Sequence, residues 1–250
     1  MKIVIIGGSG LIGSQLTNIL KNEHEVISAS PSSGVNTITG EGLDEALKEA
    51  HVVIDVSNSP SFADDDVMTF FKTSTHNLLS ATKKAGLQHY VALSVVGTDK
   101  LQESGYFRAK QTQEDMIRES GIPFTIVHAT QFFEFAGGIA TIGTSDGKVW
   151  LSDAFVQPIA SAEVAAFMSK VAVEKPVNEM IEIGGPDQIR LDDWIKQYIV
   201  STGKDIQVET DAAAPYSGAI LEEKTLVPEH PAYVGVIKYS EWIAKPENRR

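Results

Sequence analysis

A glycine-rich segment near the start of the chain constrains the fold more than any other feature. It reads IIGGSGLIG over residues 5–13 and satisfies both G-x-x-G-x-x-G and G-x-G-x-x-G. The apolar run Lys2–Ile6 before it predicts a strand, and the periodic stretch Leu11–Lys21 after it predicts a helix. A turn of this kind directs backbone N–H groups and the positive end of the helix at a pyrophosphate. We therefore expect a dinucleotide to be bound by Gly7, Ser9, Gly10, Leu11, Ile12 and Gly13.

The first half of the chain alternates short β-branched runs with longer amphipathic stretches, which is typical of repeated βαβ units. We therefore predict an α/β fold, a Rossmann doubly wound parallel sheet with a small C-terminal α+β substrate lobe. The predicted strands are Lys2–Ile6, Glu25–Ala29, Val52–Val56, Tyr90–Ser94, Phe124–Val127 and Met180–Ile183. The predicted helices are Leu11–Lys21, Leu43–Lys48, Asp65–Ala85, Tyr106–Ser120, Ala162–Val173 and Asp192–Ile199.

The lobe is expected to come from two stretches of a single NAD(P)-binding Rossmann domain spanning residues 1–250. Residues of roughly 131–160 contain a Phe-rich segment and two β-like runs, around Val149–Trp150 and Val156–Ile159. Residues 184–250 contain one predicted helix and then a proline-rich tail, predicted to be irregular, that ends in Tyr239–Ala244.

The end of the second predicted strand bears on the choice of cofactor. In NAD-specific sites an acidic residue at this position holds the ribose 2'-hydroxyl. Here the segment reads SASPSSG over residues 28–34, without a carboxylate and also without the arginine usual for NADP. The hydroxyls of Ser30 and Ser32 can accept a 2'-phosphate, so the sequence favours NADP, with NAD left open.

A tyrosine and a lysine lie four residues apart on one predicted helix. Tyr106 and Lys110 share a helix face at this spacing, although such pairs are also common on solvated helices. A nearby ammonium favours the phenolate, so Tyr106 could exchange a proton with a carbonyl oxygen while Lys110 also holds the nicotinamide ribose. Ser94, at the end of the fourth strand, could polarise the same oxygen. These three residues are the candidate catalytic group.

Composition excludes several classes of function. The net charge of −12 opposes nucleic acid and anionic membranes, and the absence of cysteine removes disulfides, thiolate nucleophiles and thiolate metal sites. No run is long enough to span a membrane, and the apolar stretch Ile3–Ile6 is too short for the core of a signal peptide, so we expect a soluble, cytoplasmic protein. Asp64–Asp66 fits a helix start better than a metal site, and the six histidines show no ligand spacing, so no metal is expected.

The chain resembles the atypical short-chain dehydrogenase/reductase families, in particular the NmrA-like NAD(P)H-binding group. The resemblance rests on the glycine segment, on Tyr106 to Lys110, on residues 120–127 with Gln131, Phe132 and Phe133, and on IGGP at 183–186. It implies that Ser57, Asn58, Gln131, Phe132 and Phe133 line the cofactor. The interval from Ser94 to Tyr106 is shorter than in ordinary members, and the family's usual basic residue after the second strand is replaced near Ser30.

Two functions follow from the resemblance. The first is an NAD(P)H-dependent oxidoreductase that transfers hydride to a small carbonyl or quinone. The second is a non-catalytic NADP-binding redox sensor that acts through a protein partner. A sugar-nucleotide epimerase or dehydratase is disfavoured because the C-terminal lobe is short. A small-molecule substrate is expected, no nucleic-acid or membrane partner is expected, and a homodimer is left open.

Overall fold

The computed structural model describes residues 1–249, in which strands and helices alternate over the first half of the chain. The strands are β1 (Lys2–Ile6), β2 (Glu25–Ala29), β3 (Val52–Asp55), β4 (His89–Val95), β5 (Phe124–Ala129), β6 (Thr144–Ser145), β7 (Lys148–Leu151), β8 (Phe155–Val156), β9 (Met180–Gly184), β10 (Ile189–Arg190), β11 (Val208–Thr210) and β12 (Pro231–Val234). The α-helices are α1 (Leu11–Leu20), α2 (Leu43–Leu47), α3 (Asp64–Ala85), α4 (Gly105–Glu119), α5 (Ala136–Ile142), α6 (Ser161–Val173), α7 (Leu191–Ser201) and α8 (Tyr239–Ile243).

A seven-stranded sheet has the order β12-β9-β5-β4-β3-β1-β2. Strand β1 pairs in parallel with β2 on one side and with β3 on the other, and β3 pairs in parallel with β4. Strands β3 and β5 are buried along their whole length, as expected of strands with helices on both faces. The predicted Rossmann α/β fold is confirmed. The strand order reverses beside β1, which is the point where such sheets bind ligands.

The chain divides into two compact units. The first consists of residues 1–94, 105–128 and 164–181, and the second consists of residues 95–104, 129–163 and those from 182 onward. The core of the first unit includes an apolar cluster in which Val4, Val53, Tyr90 and Ile126 are fully buried, and a second buried cluster contains Val67, Phe71 and Ala109. Both stretches expected to form the lobe, 131–160 and 184–250, lie within the ranges of the second unit.

The second unit has a small core of its own. Trp194 is fully buried there, and its ring centroid lies 5.8 Å from that of Tyr239. Two short sheets accompany this core, one with the order β10-β8 and one with the order β11-β7-β6.

The tail is more regular than its sequence indicates. The prediction of an irregular segment is wrong at β11 and β12. The β-like run expected around Val156–Ile159 contains the last residue of β8, and Ile159 forms an isolated parallel bridge with Phe132. Strand β12 begins with a proline and its register shifts between Pro231 and Tyr233. Proline cannot donate a ladder hydrogen bond, so it is tolerated at a sheet edge, where β12 lies. Because a strand at this edge can begin with proline, its sequence does not show the pattern by which strands are predicted.

Helix boundaries follow local chemistry. Asp64, Asp65 and Asp66 lie in the first turn of α3 and Lys83 and Lys84 in its last, so the charges at both ends complement the helix dipole. The helix ends at Ala85 and is capped by Gly86, whose φ of +68° suits glycine. Within residues 1–249, no helix is long and apolar enough to cross a membrane.

Candidate functional site

The glycine turn joins β1 to α1 and is held by backbone hydrogen bonds. The amides of Gly7 and Gly8 both donate to the carbonyl of Ala29 at the end of β2, at 3.0 and 3.1 Å. Gly7 has a φ of +81°, and a Cβ there would lie 2.9 Å from the amide nitrogen of Ser57. This turn therefore needs glycine both for its backbone angle and for its contact with the segment after β3.

Gly10 and Gly13 of the same motif have different surroundings. A Cβ on Gly13 would lie 2.2 Å from the carbonyl oxygen of Gly7, so α1 could not pack at its present distance from the turn. A Cβ on Gly10 would meet only the Gly7 oxygen, at 3.2 Å, and would otherwise point into open space. Packing thus explains Gly13, whereas Gly10 leaves room for a ligand to approach the backbone.

The start of α1 is prepared for an anion. The first amides of an α-helix lack partners within the helix, and Gly10 at the N-cap offers no side chain to satisfy them. No acidic residue lies in the first turn to compete for the positive end of the helix dipole. Ser9 and Leu11 are exposed here and Ile12 is buried beneath the turn. This arrangement fits the pyrophosphate of a dinucleotide.

A short hydroxyl network lies where β2 ends. Ser30 is 5% exposed, and its Oγ lies 2.8 Å from the Oγ of exposed Ser32. The amide of Ser30 donates to the Oγ of Ser33 at 2.9 Å, which fixes the 3-10 turn Pro31–Ser33. The segment therefore presents hydroxyls, without a carboxylate or a guanidinium, beside the glycine turn.

The segment after β3 is anchored by a buried carboxylate. Asp55 is 2% exposed, and its Oδ1 accepts hydrogen bonds from the amide and the hydroxyl of Ser57, at 3.0 and 2.6 Å. Asn58, the next residue expected at the cofactor, is exposed. Ser57 and Asn58 therefore follow β3 at the same edge of the sheet as the glycine turn.

Tyr106 and Lys110 meet around the ring of Phe71. Tyr106 is half-buried at the start of α4, and its ring lies 6.1 Å from that of Phe71 and 5.8 Å from that of Phe62. The Nζ of Lys110 lies over the Phe71 ring, 4.7 Å from its centroid. The two residues predicted to act together are thus brought together on one apolar surface.

Lys110 is an unusual lysine because its ammonium is buried. The residue is 3% exposed, and Nζ donates to the carbonyl oxygen of Leu93 at 2.9 Å and to Oε1 of Gln113. Burial lowers the pKa of Lys110 to about 8, although the nearby carboxylates of Asp55 and Glu114 oppose that change. Two of the three ammonium protons are engaged by these acceptors.

Ser94 lies next to Leu93 but points into a different cluster. Its hydroxyl donates to Oε1 of Glu114 at 2.5 Å, and the Nε2 of His128 lies 2.8 Å from the same oxygen. Arg118 donates to the other oxygen of Glu114 at 2.8 Å. Burial alone would raise the pKa of Glu114, but the bonds from His128 and Ser94 and the charge of Lys110 hold it below its usual value.

Gln131, Phe132 and Phe133 belong to the second unit and are described there alone. All three are buried, at 4%, 8% and 1% exposure. The ring of Phe132 stacks on that of Phe135, with centroids 5.0 Å apart, and Phe133 packs against Tyr239 at 5.1 Å. The carbonyl of Gln131 accepts the amide of Ile159 at 2.9 Å, which ties this segment to the residues after β8.

Three polar residues near Lys110 were missed by sequence analysis: Asp55, Gln113 and Glu114. Each is at most 2% exposed, and all are hydrogen-bonded. One signal was present, since Gln113 and Glu114 follow Lys110 by three and four residues and so share its helix face. Asp55 ends an otherwise apolar strand, a position where a carboxylate needs buried partners. Across residues 1–249, no group of three or more His, Asp or Glu side chains is placed to hold a metal ion.

The sequence was compared with known proteins. Residues 7–175 match the model of a family described as NAD(P)H-binding. The divinyl chlorophyllide a 8-vinyl-reductase of Arabidopsis thaliana, named as chloroplastic, is 34% identical over 124 residues, which are 45% of this chain and 30% of that protein. A (4-alkanoyl-5-oxo-2,5-dihydrofuran-3-yl)methyl phosphate reductase of Streptomyces griseus is 25% identical over 66% of this chain and 60% of that protein. The photosystem II assembly factor Ycf39 of Cyanophora paradoxa is 23% identical over 72% and 62%. The chain therefore spans less than two thirds of the length of each of these relatives.

A solved structure supports the same assignment at the level of the fold. The dTDP-4-dehydrorhamnose reductase of Bacillus anthracis, determined in complex with NADP, superposes with a TM-score of 0.76 over 97% of both chains at 13% identity. At this identity the likeness shows the fold alone. The glycine turn and the uncapped start of α1 fit an NAD(P)H pyrophosphate, and with the match over residues 7–175 they show that this chain belongs to the NAD(P)H-binding family.

Proposed function

We propose that this protein is an NADPH-dependent reductase acting on a small carbonyl or quinone, with Tyr106 as proton donor and Lys110 as its electrostatic partner. The observation that carries the proposal is the packing of both side chains on Phe71, with the Lys110 ammonium buried. Two of the three curated relatives and the superposed structure are named as reductases, which favours an enzyme over a sensor without turnover.

The chemistry divides between cofactor and chain. NAD(P)H, when bound, would supply the hydride. The phenol of Tyr106 gives its proton to the substrate oxygen, and a charged Lys110 favours the phenolate that is left. Leu93 and Gln113 engage two protons of the ammonium. In our proposal the third proton is donated to a hydroxyl of the nicotinamide ribose.

Ser94 is the third member of the proposed catalytic group. Its hydroxyl proton is directed to Glu114 in this structure. Polarising a substrate oxygen would require Ser94 to release that carboxylate, so we assign the main role to Tyr106 and Lys110.

The cofactor preference is proposed from the end of β2. Ser30 and Ser32 present hydroxyls where an NAD-specific site would place a carboxylate. We therefore expect tighter binding of NADPH than of NADH. Separate titrations followed by nicotinamide fluorescence measure both affinities, and equal affinities would contradict the preference.

We assign substrate binding to the second unit as part of this proposal. That unit contains a cleft of about 300 Å³, lined in part by Phe133, Pro158, Gln188 and Tyr239. This volume is at the small end of the usual range for ligand sites, which suits a small substrate.

A homodimer and a cytoplasmic location stay predictions, to be checked by sedimentation and by cell fractionation.

Tyr106→Phe tests the mechanism. We expect the variant to lose turnover with a quinone and aldehyde panel while NADPH affinity changes little, because the phenyl ring keeps its packing on Phe62 and Phe71. Tyr233→Phe, at a half-buried tyrosine of the second unit, serves as the control and should keep its activity. Unchanged turnover in Tyr106→Phe would overturn the assigned role. Tight NADPH binding without oxidation by the wild type would favour the sensor instead.

A further inference from the structure

A continuous chain of buried hydrogen bonds connects Asp55 to Lys110. Oδ2 of Asp55 accepts a hydrogen bond from Nε2 of Gln113 at 3.0 Å, and Oε1 of Gln113 accepts one from Nζ of Lys110. The three side chains are 2%, 1% and 3% exposed. Water therefore has little access to this chain, and each group depends on its protein partners.

The charges at the two ends determine how the amide of Gln113 points. A carboxylate can only accept and an ammonium can only donate, so the amide must give its NH₂ to Asp55 and its oxygen to Lys110. The flipped amide would set oxygen against the carboxylate and NH₂ against the ammonium, with both contacts repulsive. Asp55 thus makes Gln113 present an acceptor to the lysine.

The other oxygen of Asp55 holds the segment beside the glycine turn. Oδ1 accepts both the amide and the hydroxyl of Ser57. The amide nitrogen of Ser57 is also the atom that a Cβ on Gly7 would approach to 2.9 Å. One buried carboxylate therefore contacts the segment packed on the phosphate-binding turn and, through Gln113, the ammonium of Lys110.

We propose that Asp55 and Gln113 are positioning residues that hold the Lys110 ammonium in place for the cofactor and couple its position to the turn that binds the pyrophosphate. Neither residue touches the cofactor in this role. The inference rests on the proposed binding of the nicotinamide ribose by Lys110.

A double-mutant cycle on NADPH affinity tests whether Gln113 acts through Lys110. Lys110→Met and Gln113→Met are made singly and together, and the dissociation constant is measured by nicotinamide fluorescence. We expect each single change to weaken binding by about tenfold, the scale of a hydrogen bond to a charged group. The double variant should bind no more weakly than Lys110→Met alone, because Gln113 acts only through the lysine.

A control separates positioning from general loss of stability. Thr125→Val removes a buried hydrogen bond of 2.9 Å to His89 in the same unit, where β4 and β5 begin. It should lower the midpoint of thermal unfolding about as much as Gln113→Met while leaving NADPH affinity unchanged. If Gln113→Met fails to fold, Gln113→Asn, whose shorter amide cannot reach both Asp55 and Lys110, takes its place in the same cycle.

The outcomes distinguish this inference from the proposed function. The positioning role would be overturned if the losses of NADPH affinity in Lys110→Met and Gln113→Met multiplied in the double variant. It would also be overturned if Thr125→Val and Gln113→Met lost the same amount of affinity. A Lys110→Met protein that binds NADPH like the wild type would overturn it as well. Absence of turnover by the wild type with the substrate panel would overturn only the reductase, since the cycle measures binding.

Discussion

Gly10 and Gly13 occupy the same turn but are constrained by different neighbours. The position of a Cβ on Gly13 is already taken by backbone atoms of Gly7 and Gly8, whereas that of a Cβ on Gly10 is nearly open. The sequence motif treats the two glycines alike. Only their surroundings separate a glycine required for packing from one required for ligand approach.

Alanine substitutions at these two glycines should therefore affect different properties. Gly13→Ala should mainly lower the stability of the fold, and Gly10→Ala should mainly lower the affinity for NADPH. Gly13→Ala should destabilise the fold by about 1–3 kcal/mol through overpacking. Gly10→Ala should change stability much less but weaken NADPH binding by about tenfold or more, because the new methyl group stands where the pyrophosphate approaches. Urea unfolding and fluorescence titration measure the two effects. Similar losses of stability in both variants would contradict this division.

Lys110 should give stability a distinctive dependence on pH. Its pKa is lowered from 10.5 to about 8 by burial. Below pH 8 both states carry the proton and the folded state bears the full cost of the buried charge. Between about pH 8 and 10.5 only the unfolded chain keeps the proton, so stability rises with pH.

Relative to that of Lys110→Met, the free energy of unfolding of the wild type should rise by on the order of 3 kcal/mol between about pH 8 and 10.5. Urea unfolding of both proteins from pH 7 to 10.5 measures the difference. Lys100→Met provides a contrast, because the hydrogen bond from Lys100 to Glu229 raises the pKa of Lys100 and no such gain is expected. Parallel curves for the wild type and Lys110→Met would show that the ammonium is not buried as described.

At the scale of secondary structure elements, Glu114 connects α4 to β4 and β5. One buried carboxylate on the helix accepts bonds from Ser94 of β4 and His128 of β5, and Arg118 bonds it from one turn further along α4. Neighbouring Asp115 also pairs with Arg118, at 3.2 Å, but its side chain is 54% exposed. The two acidic residues therefore share a partner while differing in burial.

Glu114→Ala should be far more costly than Asp115→Ala. Removing Glu114 takes the buried carboxylate away from His128 and Arg118, and we expect a loss of about 3–5 kcal/mol. Removing Asp115 breaks an exposed pair, for which about 0.5 kcal/mol or less is expected. Denaturant unfolding of the two variants measures both values. Comparable losses would mean that the buried cluster does not hold α4 to the sheet.

At the scale of the whole molecule, cofactor binding should stabilise the folded chain. A ligand present at one hundred times its dissociation constant adds about 2.7 kcal/mol to stability. For a chain of this size that corresponds to a rise of roughly 5–10 °C in the midpoint of thermal unfolding. Scans with NADPH and with NADH measure the rise, and Gly10→Ala, which binds more weakly, should show a clearly smaller rise at the same ligand concentration. An equal rise in Gly10→Ala would place the cofactor elsewhere than the glycine turn.

The sequence alone determined the βαβ pattern, the glycine turn and the helix that carries Tyr106 and Lys110. These features depend on local periodicity and on short-range turn chemistry, which neighbouring residues specify. The strands predicted at Lys2–Ile6 and Glu25–Ala29 are confirmed residue for residue. The catalytic and cofactor-binding roles of the named residues stay predictions.

Only the tertiary structure decided which side chains surround Lys110. Asp55 lies 58 positions before Gln113 in the sequence, and the hydrogen bond between them connects β3 to α4 within the first unit. The burial that lowers the pKa of Lys110 likewise depends on Phe71 and Leu93, which come from α3 and β4. Contacts between distant segments, and the loss of water that they cause, leave no periodic signal along the chain.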